Sequence, residues 1–100
     1  MTIEKFFEHY TKLTEQKRDI LKKKNHDYAK VKDMFSNFKL MARIANIPIE
    51  KVFMVFLAVK VVRLGELTSG KEPNNESIED TLLDLSNYAD LFNIFNKEVV

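Results

Sequence analysis

The residues best placed to do chemistry lie in the C-terminal half of the chain. In the stretch Glu76 to Phe95, ESIEDTLLDLSNYADLFNIF, the side chains of Glu76, Asp80, Asp84 and Asn87 recur on one side of a helix, with Tyr88 at its edge. Asp80 and Asp84 stand four residues apart, and two like charges at that spacing repel on a bare helix. Something cationic is therefore expected to offset them: a metal ion, a Lys/Arg pair, or both. Lys60 and Arg63, three residues apart near the end of the preceding apolar segment, are the candidate pair. Such cations serve either as structural salt-bridge partners or as ligands for phosphate. Leu83, Leu91 and Ile94 lie among the acids, so this side is expected to form a partly enclosed groove against another helix or subunit. The opposite stripe, Ile78, Leu82, Leu85, Ala89 and Phe92, reads as the core face.

A second polar cluster, Asn25-His26-Asp27-Tyr28, follows the basic turn Lys22-Lys23-Lys24. Asn and Asp bond the local backbone and favour turns, so the cluster reads either as a helix connection or as a set of groups beside the acidic groove. His26 alone does not make a metal site, because a ligand needs partners. The chain has no Cys, which excludes a disulfide framework and thiol chemistry. It shows no Gly-rich phosphate loop, no Cys/His metal spacing, no Ser/His/Asp nucleophile pattern and no internal repeat.

These groups need long helices to position them. One hundred residues suit one domain, residues 1–100, with one modest core, and two Gly with two Pro leave little room for turns. Thr2 caps a first helix over 3–24, with Ile3, Phe6, Phe7, Tyr10, Leu13, Ile20 and Leu21 at helical spacing. A second helix over 31–46 carries Met34, Phe35, Phe38, Met41, Ile44 and Ala45. Asn46-Ile47-Pro48 ends it and starts the next. The segment 49–68 contains VFMVFLAVKVV, whose β-branched and aromatic residues favour a strand. Its length, Pro48 at its start, and Lys60, Arg63 and Glu66 at three-residue spacing favour a buried central helix, and we read it so. Thr68 to Asn75 is the linker, with Asn75 as the cap of a fourth helix over 76–95. The fold class is all-α, four helices, with a second apolar strip on the last helix that predicts a homo-oligomer.

The net charge of +1 hides an asymmetry. Residues 1–63 hold fourteen Lys/Arg against seven Asp/Glu, a net +7, and residues 64–100 hold two against eight, a net −6. The simplest use is internal, an acidic last helix packed beside basic earlier ones. No nucleic-acid motif accompanies the basic half. The mixed start MTIEKFFEHY is not a signal peptide, and the apolar run Val52 to Val59 is too short to span a bilayer, which needs about 20 residues. A cytosolic location, with no membrane partner, is the expectation.

Four blocks carry a resemblance: Lys24-Asn25-His26-Asp27-Tyr28-Ala29, then Phe35-Ser36-Asn37-Phe38, then Lys60-x-x-Arg63, then Glu76 to Tyr88. Across residues 20–92 the chain resembles small phage and prophage proteins related to the nucleotide modification associated domain family. The last block is also distantly similar to the acidic helix of MazG-like all-α nucleotide pyrophosphohydrolases, in which carboxylates of two helices hold Mg²⁺. That pattern has an ExxE on one helix and an ExxD on the next. Here Arg63-x-x-Glu66 puts Arg in the place of the first Glu, and Asp80 and Asp84 are spaced by four.

Three functions are implied. The leading one is a phage-type protein in the cytoplasm of a bacterial host that binds a phosphate-bearing nucleotide or nucleotide-derived signal, without metal or chemistry of its own, and sequesters a host immune signal. Lys24, Lys60 and Arg63 would meet phosphate, Tyr28 or Tyr88 the base, and Asn25, Asp27, Asn37 and Asn87 would orient the ligand, with Asp80 and Asp84 beside it. The alternative is a Mg²⁺-dependent nucleoside triphosphate pyrophosphohydrolase using Glu66, Glu76, Asp80 and Asp84. The third is a protein-interaction module whose polar residues only bridge helices.

Overall fold

A computed structural model describes residues 1–27, 33–70 and 76–99. The fold is all-α. Its four helices are α1 (Ile3–Asp27), α2 (Ser36–Ala45), α3 (Ile49–Thr68) and α4 (Ile78–Val99). The described residues contain no strand, so the apolar, β-branched α3 is a helix despite its propensity. By internal contacts the chain divides into two units, 1–34 and 35–100, and each is described by itself.

The first unit is α1. Thr2 caps it as expected, its Oγ1 accepting the Lys5 N–H at 3.1 Å. The helix runs three residues past the basic turn, to Asp27. Phe6, Phe7 and Tyr10 touch one another, with ring centroids 5.3–6.4 Å apart. Ile3, Phe6, Phe7, Tyr10 and Leu13 are nonetheless exposed.

The second unit is built on α3, against which both α2 and α4 pack. α2 begins at Ser36, later than the expected 31, of which residues 31 and 32 lie outside the described residues. It ends where expected. Asn46 adopts the left-handed conformation, φ 54°, and the N–H groups of Asn46 and Ile47 close back onto the carbonyls of Arg43 and Ala42. Asn tolerates that conformation better than most residues, because its short side chain bonds locally. Pro48 then starts α3, where a missing N–H is no loss.

The core is a cluster of phenylalanines. Phe53 is fully buried at its centre, stacked on Phe38 at 4.6 Å and on Phe92 at 4.9 Å, and Phe35 and Phe95 close the cluster. Val52, Leu67, Leu83 and Leu91 are also buried. On α4 this turns part of the expected core face outward, although Phe92 of that stripe stacks on Phe53. Ile78 and Leu82, assigned to the core face, are 43% and 48% exposed, whereas Leu83, Asn87, Leu91 and Phe95 are buried. The side carrying Asp84 and Asn87 is the side that packs, while Asp80 is exposed. Both stripes of α4 are apolar enough to face a core, and only the second brings Asp84 to Lys60 of α3. The second apolar strip on which the homo-oligomer expectation rested is thus largely used within the chain. Leu83 and Leu91 are internal, and Ile94 alone of the three stays exposed.

Candidate functional site

The candidate site is where the end of α3 meets the start of α4. Its centre is Lys60, 15% exposed, whose Nζ lies 3.0 Å from Glu76 Oε1 and 3.0 Å from Asp84 Oδ2. Glu76 precedes α4 and Asp84 lies on its second turn, so one ammonium ties the start of α4 to α3 at two points. Burial works to lower the Lys60 pKa, but its hydrogen bonds to Glu76 and Asp84 outweigh that and raise it. The Glu76 carboxyl is held below its ordinary range, chiefly by the hydrogen bond from Lys60. Burial pushes the Tyr88 phenol up, helped by the charge of Asp84, and the Tyr88 ring lies against Phe56 with centroids 5.0 Å apart.

Asp80, expected to share this pairing, does other work. Its backbone N–H donates to Ser77 Oγ at 3.0 Å, and its Oδ2 accepts from the Ser77 N–H at 3.5 Å. That is a reciprocal capping box, in which a side chain at each end satisfies an N–H the helix start leaves open. Ser77, not Asn75, is the cap seen, and Asn75 lies outside the described residues. Thr81, fully buried, donates to the Ser77 carbonyl at 2.8 Å and fixes the same turn. The signal S-x-x-D was readable in Ser77-Ile78-Glu79-Asp80, but the spacing of the acids drew Asp80 into the ionic pair instead. Glu76, expected inside the helix on the same stripe, stands just before it and pairs with Lys60.

Arg63, one turn beyond Lys60, meets Glu66 Oε2 only at 3.9 Å through its terminal nitrogen. Its Nε is buried and has no hydrogen-bond acceptor among the described residues. Arg63, Lys60, Glu66 and Glu76 line a recess of about 290 Å³ with Val59 and Val62. Counting Asp84 behind Lys60, two cations face three carboxylates among the described residues, a charge of −1 for that set.

Of the carboxylates Glu66, Glu76, Asp80 and Asp84 proposed for Mg²⁺, only Glu76 and Asp84 converge, and the point of convergence is the Lys60 ammonium. Among the described residues no three His, Cys, Asp or Glu side chains are grouped as a metal would need. The four acids therefore do not fit Mg²⁺ as a set in this arrangement, and no step is routed through it here. Asn87 is buried in the α2–α4 unit, and Asn37 is exposed in the first turn of α2. Lys24, Asn25 and Asp27 belong to the last turns of α1, in the other unit. Tyr28 lies outside the described residues.

No helix among the described residues is long and apolar enough to cross a membrane. No protein-family model, curated protein or solved structure matches the chain.

Proposed function

We propose that the α3–α4 recess binds the phosphate of a nucleotide or nucleotide-derived ligand, with Arg63 as the phosphate contact. The observation that carries this reading is the buried Arg63 Nε, which faces no acceptor among the described residues. Leaving a charged donor buried without a partner costs about 1–3 kcal/mol or more, and a phosphate oxygen is the acceptor a guanidinium fits best. Lys60 is engaged by two carboxylates, so it positions the recess rather than binding phosphate directly.

The charge of −1 carried by the described residues of the recess favours a ligand of low charge. A triphosphate would be repelled unless a divalent cation came with it, whereas a phosphodiester carrying a single charge meets one committed arginine and little repulsion. The recess lies just below the about 300–1,000 Å³ range of ligand pockets, which suits a small phosphate-bearing group. A protein of this kind acts by holding a nucleotide-derived signal out of circulation.

The test is a thermal-shift and calorimetric screen of cyclic nucleotides and nucleoside triphosphates, each with Mg²⁺ or with a chelator. A phosphodiester should raise the apparent stability by about 2.7 kcal/mol at a hundredfold excess over Kd. The effect should survive the chelator, disappear in Arg63→Met and fall in Arg63→Lys, which lacks the Nε donor. If only triphosphates with Mg²⁺ bind, and pyrophosphate is released by the native chain but not by Glu76→Gln with Asp84→Asn, the chain is a pyrophosphohydrolase instead. If no nucleotide binds, the polar residues serve helix bridging alone.

A further inference from the structure

α3 is apolar around its whole circumference, and the α2–α4 unit covers only one side of it. Phe53, Lys60 and Leu67 point inward, while Met54, Val55, Val59, Val61 and Val62 are each more than half exposed. A helix that is apolar all round is normally buried on every side. Along the open side, Lys51, Val55, Ala58, Val62 and Gly65 follow one another at steps of four, three, four and three, and all five are exposed. That is the spacing of a helix–helix seam, in which one stripe stays turned toward a partner helix. Its middle is free of charge. Gly65 sits in the last turn of α3, and nothing lies within 4 Å of where its Cβ would be. The packing of its own unit therefore does not require a glycine there, whereas a close-crossing helix would.

We infer that the occupant of this face is α3 of a second copy, running antiparallel about a two-fold axis between Ala58 and Val59. Charge decides the partner and its direction. The stripe has Lys51 at one end and Glu66 beside the other, both exposed. An antiparallel pair sets Lys51 against Glu66 of the second copy and Val55 against Val62 of the second copy, each twice by symmetry. A parallel pair would set Lys51 against Lys51 and Glu66 against Glu66. Glu66 has room for this contact, because its distance to Arg63 is 3.9 Å.

Val59 and Val62 also line the recess. A second copy seated on the seam therefore closes over the mouth of the Arg63 recess and deepens it. That consequence rests on the ligand reading above, whereas the dimer itself does not.

The experiment is sedimentation of the full chain at about 10 µM without ligand, so its outcome is separate from that of the nucleotide screen. A dimer is expected. Val55→Asp should give a monomer of unchanged helicity, because Val55 is exposed in its own unit. Lys51→Glu should weaken the dimer roughly tenfold through two symmetric surface pairs, and Lys51→Glu with Glu66→Lys should restore it. The chain has no Cys, so Val55→Cys copies mixed with Val62→Cys copies should cross-link, and neither should cross-link alone. A native monomer, a dimer that survives Val55→Asp, a charge swap that fails to restore association, or cross-linking of Val55→Cys to itself would each overturn the proposal.

Discussion

Replacing Lys60 by Met keeps the length and apolar stem of the side chain and removes only the ammonium. Glu76 and Asp84 would then lose the cation that they share. The side chains involved are 15%, 22% and 24% exposed, so the strut is neither a surface pair nor a fully buried one. Exposed pairs contribute about 0–1 kcal/mol, and breaking a buried one costs about 3–5 kcal/mol. An intermediate loss of about 2–3 kcal/mol is expected, which for a chain of this size lowers Tm by roughly 10–20 °C. The pH dependence carries the sign. The Glu76 pKa is lowered in the fold, so its stabilisation is present above the unfolded carboxyl pKa and fades as pH falls through the folded one. The Lys60 pKa is raised, so its stabilisation is present below the unfolded lysine pKa and fades as pH rises through the folded one. Between those limits the difference between native and Lys60→Met chains should be constant. Below the carboxylate range it should shrink, because the native strut is lost and the two acids of the variant no longer repel. Thermal unfolding followed by circular dichroism from pH 3 to pH 8 measures this. A loss below about 0.5 kcal/mol at pH 7, or a difference that does not shrink in acid, would refute the strut.

Asp84→Asn should cost about 1–2 kcal/mol, because Lys60 keeps Glu76, and Asp80→Asn should cost less than about 0.5 kcal/mol, since Asn also suits a helix start. Equal losses in urea melts of the two variants would mean that Asp80 is part of the ionic cluster after all. Ser77→Ala removes the cap seen at α4 and should lower stability by about 0.5–2 kcal/mol, whereas Ser77→Asp should leave it nearly unchanged. Leu83→Ala should cost about 2–5 kcal/mol and Leu82→Ala under about 1 kcal/mol, and the opposite order would return the core to the other face of α4. Phe53→Ala, at the centre of the ring cluster, should cost about 3–5 kcal/mol and can unfold a domain whose whole stability is about 5–15 kcal/mol.

The sequence by itself determined the helices. Length, sparse Gly and Pro, and Thr2 and Pro48 at helix starts act through local backbone chemistry, and that chemistry is the same wherever the segment lies. It also supplied the basic and acidic halves that Lys60 joins, because opposite charges on neighbouring helices have a short list of arrangements. Tertiary structure alone decided which face of α4 is inward. Ile78, Leu82, Leu85, Ala89 and Phe92 form the cleaner stripe, but of these Phe92 stacks on Phe53 while Ile78 and Leu82 are exposed, and Leu83, Leu91 and Phe95 are buried on the side that brings Asp84 to Lys60. A helical period counts apolar positions and carries no information about which of two apolar stripes a neighbouring helix will fit. The same limit separated Asp80 from Asp84. Their spacing made them look like one pair, yet Asp80 lies in the first turn, where open backbone N–H groups compete for a carboxylate, and Asp84 lies a turn further on, where it meets the Lys60 ammonium.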